Sequence, residues 1–442
     1  MRLIDPQRLG AEVAHDELRH HDQGDLTLNQ STFILLGGGL ASATAASTLR
    51  AEGFDGRVII VGDENHVPYS RPPLSKDVLR GEKAPERTWL RPPAWYANKD
   101  IELQLGVRAV AVDPRAHRVE LAGGTSLAYD KLLVATGGIP RTLGIPGMDL
   151  PGVFYLRRLD DALALREHLI PAAQVVVIGA GFIGAEVAAS ARTLGCKVTM
   201  LEIAEIPLGR ALGPTIGQIY ADLHREHGVE LYTRVGVERI EGHGHVQRVV
   251  TTDGRVHEAS VVVIGVGMLP DVDLARRSGF ATGNGIIVDE YCQTSVDDVF
   301  AAGDIAHHPN HFLSRSIRVE HWQNAQHQGK AAARNMLGQR KAFREVPWVW
   351  SDQYEHNLQV VGLPDPSDRL VVRGDAATRN FSAFFLRDGR VTAALAVNRP
   401  DDIRVARLMI QHGTAAAEAQ LADVDAALGE LVVAFATVER AC

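Results

Sequence analysis

Cysteine is nearly absent: Cys196, Cys292 and Cys442 are the only three in 442 residues, and no two are spaced as CxxC or CxxxxC. That excludes a disulfide framework, a redox-active disulfide motif and a cysteine-held iron–sulfur cluster, so any electron carrier is organic. No run of about 18 apolar residues occurs, and none of the chain reads as a membrane-spanning helix. Basic excess is missing too. Forty-six Lys and Arg stand against 54 Asp and Glu, a formal net charge of −8, which argues against a nucleic-acid surface. The opening segment carries Asp5, Glu12, Asp16 and Glu17 and no apolar core, unlike a secretory or transit leader. Residues 1–30 are expected to be a polar tail and the protein cytoplasmic. His15, His20 and His21, and likewise His307, His308 and His311, lack the partners of a metal site, so solvated histidines and no metal are expected.

What is present is a pattern that occurs twice. An aliphatic run at 33–36 leads into Gly37-Gly38-Gly39-Leu40-Ala41-Ser42, an Ala-rich helix to about residue 51, and a second run at 58–61 before Asp63 and Glu64. Another run at 175–178 leads into Gly179-Ala180-Gly181-Phe182-Ile183-Gly184, a helix to about residue 194, and a run at 198–201 before Glu202. Each reads as a βαβ unit with a glycine turn, where backbone can approach a pyrophosphate and the helix N-terminus meets its charge. Glu202 falls about 20 residues past the second turn, the spacing of a ribose-binding acid. In the first unit Ser42 replaces the third glycine, and the acid is Asp63 or Glu64; Asp63 is preferred because it follows the strand sooner, with a solvated turn as the competing reading of Glu64. Further strand-like runs end in glycine at 131–138, 261–265 and 299–303. After Pro347 the pattern changes to alternating stretches and then helical signals. Two dinucleotide sites imply hydride transfer between a nicotinamide and a flavin.

Five further segments are more specific: Val67-Pro-Tyr-Ser-Arg-Pro-Pro-Leu-Ser-Lys76, Ala135-Thr-Gly-Gly-Ile-Pro-Arg141, Ala302-Gly-Asp304, Arg318-Val-Glu-His-Trp-Gln-Asn-Ala325 and Trp350-Ser-Asp-Gln-Tyr354. With the glycine units, in this order over about 31–400, the chain resembles the FAD- and NADH-dependent ferredoxin reductases, the putidaredoxin reductase-like family that serves bacterial cytochrome P450s and aromatic-ring oxygenases. Pro270-Asp271 departs from the Pro-Asn more usual there.

The resemblance implies an α/β fold with two Rossmann-like dinucleotide-binding domains of the glutathione-reductase kind and a C-terminal αβ domain. The boundaries expected are 31–143 with 268–345 for a discontinuous FAD domain, 144–267 for the NAD domain and 346–442 for the last. It also implies FAD contacts at Gly37, Gly39, Leu40, Ala41, Asp63, Arg71, Lys76, Ala135, Thr136, Gly137, Arg141, Asp304, Glu320, His321, Trp322 and Trp350. NADH contacts are implied at Gly179, Gly181, Phe182, Ile183, Gly184, Glu186, Glu202, Gly265, Val266 and Gly267. Lys76 and Glu186 are the implied catalytic pair, against a plain reading of Glu186 as a helix-start acid. The implied partner is an acidic [2Fe–2S] ferredoxin, and through it a P450 or Rieske oxygenase, docking on a local basic patch drawn from Arg71, Arg80, Arg315, Arg318, Lys341 and Arg344. The alternatives are an NADH oxidase or quinone-type reductase, and an NADH-responsive binding flavoprotein similar to apoptosis-inducing factor.

The missing cysteine couple generates a prediction. Cys196→Ser and Cys292→Ser should leave NADH-driven flavin reduction near the wild-type rate in anaerobic stopped-flow traces; loss of reduction in either folded variant would return the electrons to a thiol.

Overall fold

The computed structural model describes residues 31–432. The tail expectation, His15, His20, His21 and Cys442 lie outside them.

Two five-stranded parallel sheets carry the glycine turns. In the first, the strands run in the order Val299–Ala301, Lys131–Val134, Thr32–Leu36, Arg57–Gly62 and Ile101–Leu105. In the second the order is Glu230–Thr233, Lys197–Glu202, Gln174–Ile178, Val261–Ile264 and Val153–Tyr155. The near-continuous Val, Ile and Leu of the central strands follow from burial on both faces; Ile34, Leu35, Ile59, Ile60, Val176 and Val177 have no exposed surface. In each sheet the strand that leads into the glycine turn pairs on one side with the next βαβ strand and on the other with a strand farther along the chain. The crevice where strand order reverses lies at that strand's C-terminal end, where the glycines are.

Each sheet is interrupted in the chain by a small antiparallel meander that periodicity did not reveal, Ala109–Asp113, Arg118–Leu121 and Ser126–Ala128 before strand Lys131–Val134, and Val237–Gly242, Val246–Thr251 and Val256–Glu258 before strand Val261–Ile264. The two places where the chain passes between the parallel sheets, Gly138–Pro140 and Met268–Pro270, pair with each other antiparallel. Residues 348–397 form a five-stranded antiparallel sheet in the order Trp348–Gln353, His356–Gly362, Arg390–Val397, Asn380–Arg387 and Arg369–Asp375. Helix Pro400–His412 packs one face through Ile403, Ala406, Met409 and Ile410. The other face meets helix Pro214–Glu226, whose Ile216, Tyr220 and Leu223 join Leu358, Phe381 and Leu395.

Close backbone approach explains the glycines. Gly37 has φ +109°, and a Cβ there would lie 2.3 Å from Ala135 O; Gly179 has φ +97°, with Gly265 O at 2.5 Å. At Gly184 a side chain would meet Gly179 O at 2.0 Å, the helix–strand packing expected of a third glycine. Ser42, fully buried, fits the corresponding position of the first unit, whose helix makes its tight approach elsewhere, at Gly329. There a methyl would sit 2.4 Å from Ala41 O. Gly329→Ala gains about 1 kcal/mol of helix propensity, but the backbone it strikes cannot move aside. The expected net loss is about 1–3 kcal/mol, read as a lowered thermal midpoint.

Candidate functional site

One cleft of about 990 Å³ joins the C-terminal ends of the two parallel sheets and is lined by both glycine turns. Helix Leu40–Ala51 starts at Gly39 and helix Phe182–Thr193 at Gly181, with no side-chain cap and no acid in the first turn of either. Their leading N–H groups therefore have no side-chain acceptor among the described residues, and a Cβ added at Gly39 or Gly181 would meet nothing within 4 Å. Two positive helix ends opening on empty space fit two phosphate-bearing ligands.

The acids lie where the strands end. Glu202 accepts from Ala180 N–H at 2.6 Å and Ala204 N–H at 2.7 Å, so its carboxylate is fixed at the rim of the second turn. In the first unit both acids line the cleft, in different settings. Asp63 pairs with Arg158 at 2.7 Å on the exposed side. Glu64 accepts from Arg71 at 2.6 Å and from the Tyr69 hydroxyl at 2.5 Å. It is no solvated turn residue: its side chain is 12% exposed. Tyr69, whose phenol is pushed far up by burial, also accepts from Leu159 N–H at 2.9 Å.

Two further arginines, Arg157 and Arg158, line the cleft without having been expected there. Arg157 pairs with Asp304 at 2.9 Å and Arg158 with Asp63. Arg71 donates to Arg157 O at 2.6 Å, tying the Arg71 segment to the same strip. Their signal was the Arg157-Arg158 doublet before an acid-rich helix start, which has no fixed spacing from either glycine turn. The Gly303-Asp304 turn is held through Gln328, which accepts from Gly303 N–H at 2.8 Å and contacts His308 Nδ1 at 2.9 Å. His308 is thus a buried structural histidine, against the solvated reading, and no metal-binding group of His, Cys, Asp and Glu occurs among the described residues.

The aromatic wall is His321, Trp322 and Trp350. His321 Nε2 accepts from Trp350 N–H at 3.3 Å, and burial lowers its pKa to about 4. It is therefore neutral, with its proton on Nδ1. That Nδ1, Trp322 Nε1 and Thr136 Oγ1 are buried polar atoms lacking partners among the described residues. All three belong to cleft-lining residues. Such atoms are costly unless a ligand satisfies them, which suits a large polar cofactor better than a purely apolar one.

The Lys76–Glu186 pair expected from the resemblance is present at 2.8 Å, with Lys76 8% and Glu186 4% exposed. Ser75 Oγ donates to the same carboxylate at 2.5 Å and Ser351 Oγ at 2.7 Å. Neither serine was anticipated. A buried carboxylate keeps its charge only with such a set of partners.

Two expected contacts are not brought to the cleft. Arg141 is exposed beyond it, its N–H bound to Gly267 O at 2.9 Å, and Gly184 is withdrawn into helix–strand packing. The six basic residues expected to form a docking patch divide into two groups. Arg71 faces the cleft on Glu64, Arg80 pairs with Asp77 and Glu82, and Arg318 pairs with Glu320 with 8% of its side chain exposed. These three are spoken for by neighbouring acids; Arg315, Lys341 and Arg344 remain exposed. Cys196 and Cys292 are separately buried, and burial pushes the Cys292 thiol up to about 12.

Residues 31–329 match the family described as pyridine nucleotide-disulphide oxidoreductase, and residues 348–432 match the reductase C-terminal family. The anthranilate 1,2-dioxygenase system ferredoxin–NAD(+) reductase component of Burkholderia cepacia is 43% identical over 398 residues, covering 90% of this chain and 98% of that protein. Rhodocoxin reductase of Rhodococcus erythropolis is 40% identical over 395 residues, covering 89% and 92%. Among solved structures, a chain of the covalent putidaredoxin reductase–putidaredoxin complex superposes with a TM-score of 0.89 at 36% identity, over 92% of this chain and 99% of that one.

Histidines withdrawn from water give the molecule a pH dependence. Burial lowers His224, His308 and His321 from 6.5 to about 4 each. The unfolded chain then binds protons that the folded one refuses, so their contribution is complete above pH 6.5 and is lost as pH falls toward 4. Within that window each histidine costs about 1.4 kcal/mol per pH unit. Thermal midpoints should drop between pH 7 and pH 5, and His308→Gln should flatten the slope.

Proposed function

The chain belongs to the pyridine nucleotide-disulphide oxidoreductase family, among the FAD- and NAD(H)-using ferredoxin reductases, and on that premise we propose that it carries electrons from NADH through FAD to a [2Fe–2S] ferredoxin serving a P450 or a Rieske-type oxygenase. The observation that supports this most is the placement of the buried Lys76–Glu186 pair in one cleft with two uncapped helix N-termini from two separate sheets. One pocket shared by two dinucleotide turns is what direct transfer between two cofactors requires.

Residues 31–143 and 268–345 would hold FAD, 144–267 NADH, and 346–442 would close the site. The Gly37–Gly39 turn and the N–H groups after it would bind FAD pyrophosphate. Glu64, braced by Arg71 and Tyr69, is as well placed toward the ribose as Asp63. Thr136, His321 and Trp322 would satisfy their free polar atoms on the cofactor. The Gly179–Gly181 turn and Glu202 would receive NADH. Bound FAD would supply the chemistry of accepting a hydride and releasing electrons singly to an iron–sulfur centre. Lys76 would place its ammonium against charge developing in reduction. Glu186 would keep that ammonium fixed, and the Trp322–Trp350 wall would exclude water. With no cysteine pair among the described residues to receive electrons, they would leave to an external acceptor.

Purified protein should be yellow, with about one FAD per chain, and anaerobic NADH should bleach it. Fast reduction of at least one ferredoxin from a panel, beyond the rates with oxygen and quinone, separates the reductase from the oxidase reading. Equal rates with every acceptor would replace it. Specificity for NADH over NADPH should be about 100-fold, or 2.7 kcal/mol, because Glu202 repels a 2′-phosphate. Arg210 lines the same cleft, so Glu202→Ala should narrow the ratio of kcat/KM chiefly by admitting NADPH.

A further inference from the structure

Glu186 is the inner end of a hydrogen-bonded chain that leaves the cleft and runs outward to helix Pro214–Glu226. Ser351 Oγ lies 2.7 Å from Glu186 Oε1, Gln353 Nε2 lies 3.2 Å from Ser351 Oγ, His224 Nε2 lies 3.0 Å from Gln353 Oε1, and the Tyr354 hydroxyl lies 3.1 Å from His224 Nδ1. Ser351, Gln353 and His224 have no exposed surface. Four separate elements supply the members: Lys76 follows the turn Pro72–Ser75, Glu186 sits in helix Phe182–Thr193, Ser351 and Gln353 in strand Trp348–Gln353, and His224 in helix Pro214–Glu226.

The chemistry of the inner end fixes the direction of every bond. The Glu186 carboxylate only accepts, so Ser351 donates to it and spends its proton there. Ser351 Oγ must then accept, which matches the Gln353 amide donating through Nε2. Gln353 Oε1 can only accept, so His224 carries its proton on Nε2. A neutral His224 then accepts at Nδ1 from the Tyr354 O–H. Burial, which lowers the His224 pKa to about 4, keeps the ring in that neutral form. All donors point toward Glu186, so the dipoles add along the chain and reinforce one another. Tyr354 closes the outer end in a left-handed backbone conformation, φ +54°, with His227 stacked on its ring at 3.6 Å. A bulky residue held there signals a position over-determined by its surroundings.

We propose that His224, Gln353 and Ser351 are positioning residues that aim and hold the Glu186 carboxylate on Lys76, so that helix Pro214–Glu226 and the C-terminal sheet set the geometry of the reduction site. The inference rests on the reductase reading above and adds residues that touch neither dinucleotide turn.

The test uses the full-length, FAD-loaded chain mixed anaerobically with NADH. Loss of the hydrogen bond to the Glu186 carboxylate should lower the limiting rate of flavin bleaching about tenfold in Ser351→Ala, and His224→Leu, which removes the donor that holds Gln353 behind Ser351, should lower it in the same direction. The NADH concentration giving half the limiting rate should stay within about twofold, since binding contacts are untouched. The visible spectrum of the oxidised protein should be displaced in the same sense in both variants. His224→Gln, whose Nε2 can still donate to Gln353, should recover most of the rate. In a Glu186→Gln background, adding His224→Leu should change nothing further. A yellow Ser351→Ala with the wild-type rate and spectrum overturns the proposal, as does His224→Gln proving as slow as His224→Leu. If His224→Leu does not fold, the Ser351→Ala rate and spectrum decide it. A wild-type chain that binds FAD but is not bleached by NADH overturns the function instead, and the spectra of the variants then still decide the positioning role.

Discussion

A helix that begins on glycine, with no side chain to cap it, leaves its first N–H groups without side-chain acceptors; this chain does so twice, at Gly39 and Gly181, facing one cleft. Much else follows from that constraint. The strands before each helix must end where the backbone can turn sharply, hence the positive φ of Gly37 and Gly179. The neighbouring loops must come close enough to wall the turn, hence the contacts to Ala135 and Gly265. The central strands must be buried on both faces to hold two such ends steady, hence their unbroken aliphatic sequence. The negative charge such helix ends attract is one no side chain of either first turn supplies.

The family takes its description from pyridine nucleotides and disulphides, yet the described cysteines here are two separate buried thiols, Cys196 and Cys292. The cleft holds instead a charged pair, Lys76 and Glu186, and an aromatic wall. A shared fold thus leaves the chemistry to the residues that line its cleft.

The two glycine units, the strands leading into them and Glu202 were legible in the sequence because they are local: a turn, a helix start and an acid within one βαβ repeat. The Lys76–Glu186 contact, 110 positions apart, was legible only through family resemblance. Ser75, Ser351, Arg157 and Arg158 were missed because serines and arginines carry no spacing signature, and only the tertiary fold brings them to a carboxylate. The choice between Asp63 and Glu64 was argued from distance along the chain. Both carboxylates find donors, Asp63 in Arg158 and Glu64 in Tyr69 and Arg71, partners that distance along the chain does not reveal. Of the six basic residues expected to face a partner, Arg71, Arg80 and Arg318 turn out to be paired with acids, which position along the chain does not reveal, while Arg315, Lys341 and Arg344 stay exposed. The small meanders were invisible because their short, half-exposed strands lack a sustained period.

The short ladder between Gly138–Pro140 and Met268–Pro270 places the chain's departure from the first sheet beside its return. Everything that builds the second sheet is thus a single uninterrupted stretch with adjacent ends. To the host sheet it is equivalent to a long loop whose closure is already made by three residue pairs, and lengthening a closed loop adds little entropic cost. Such an arrangement lets a whole nucleotide-binding module be gained, lost or exchanged in inheritance without breaking any strand of its host.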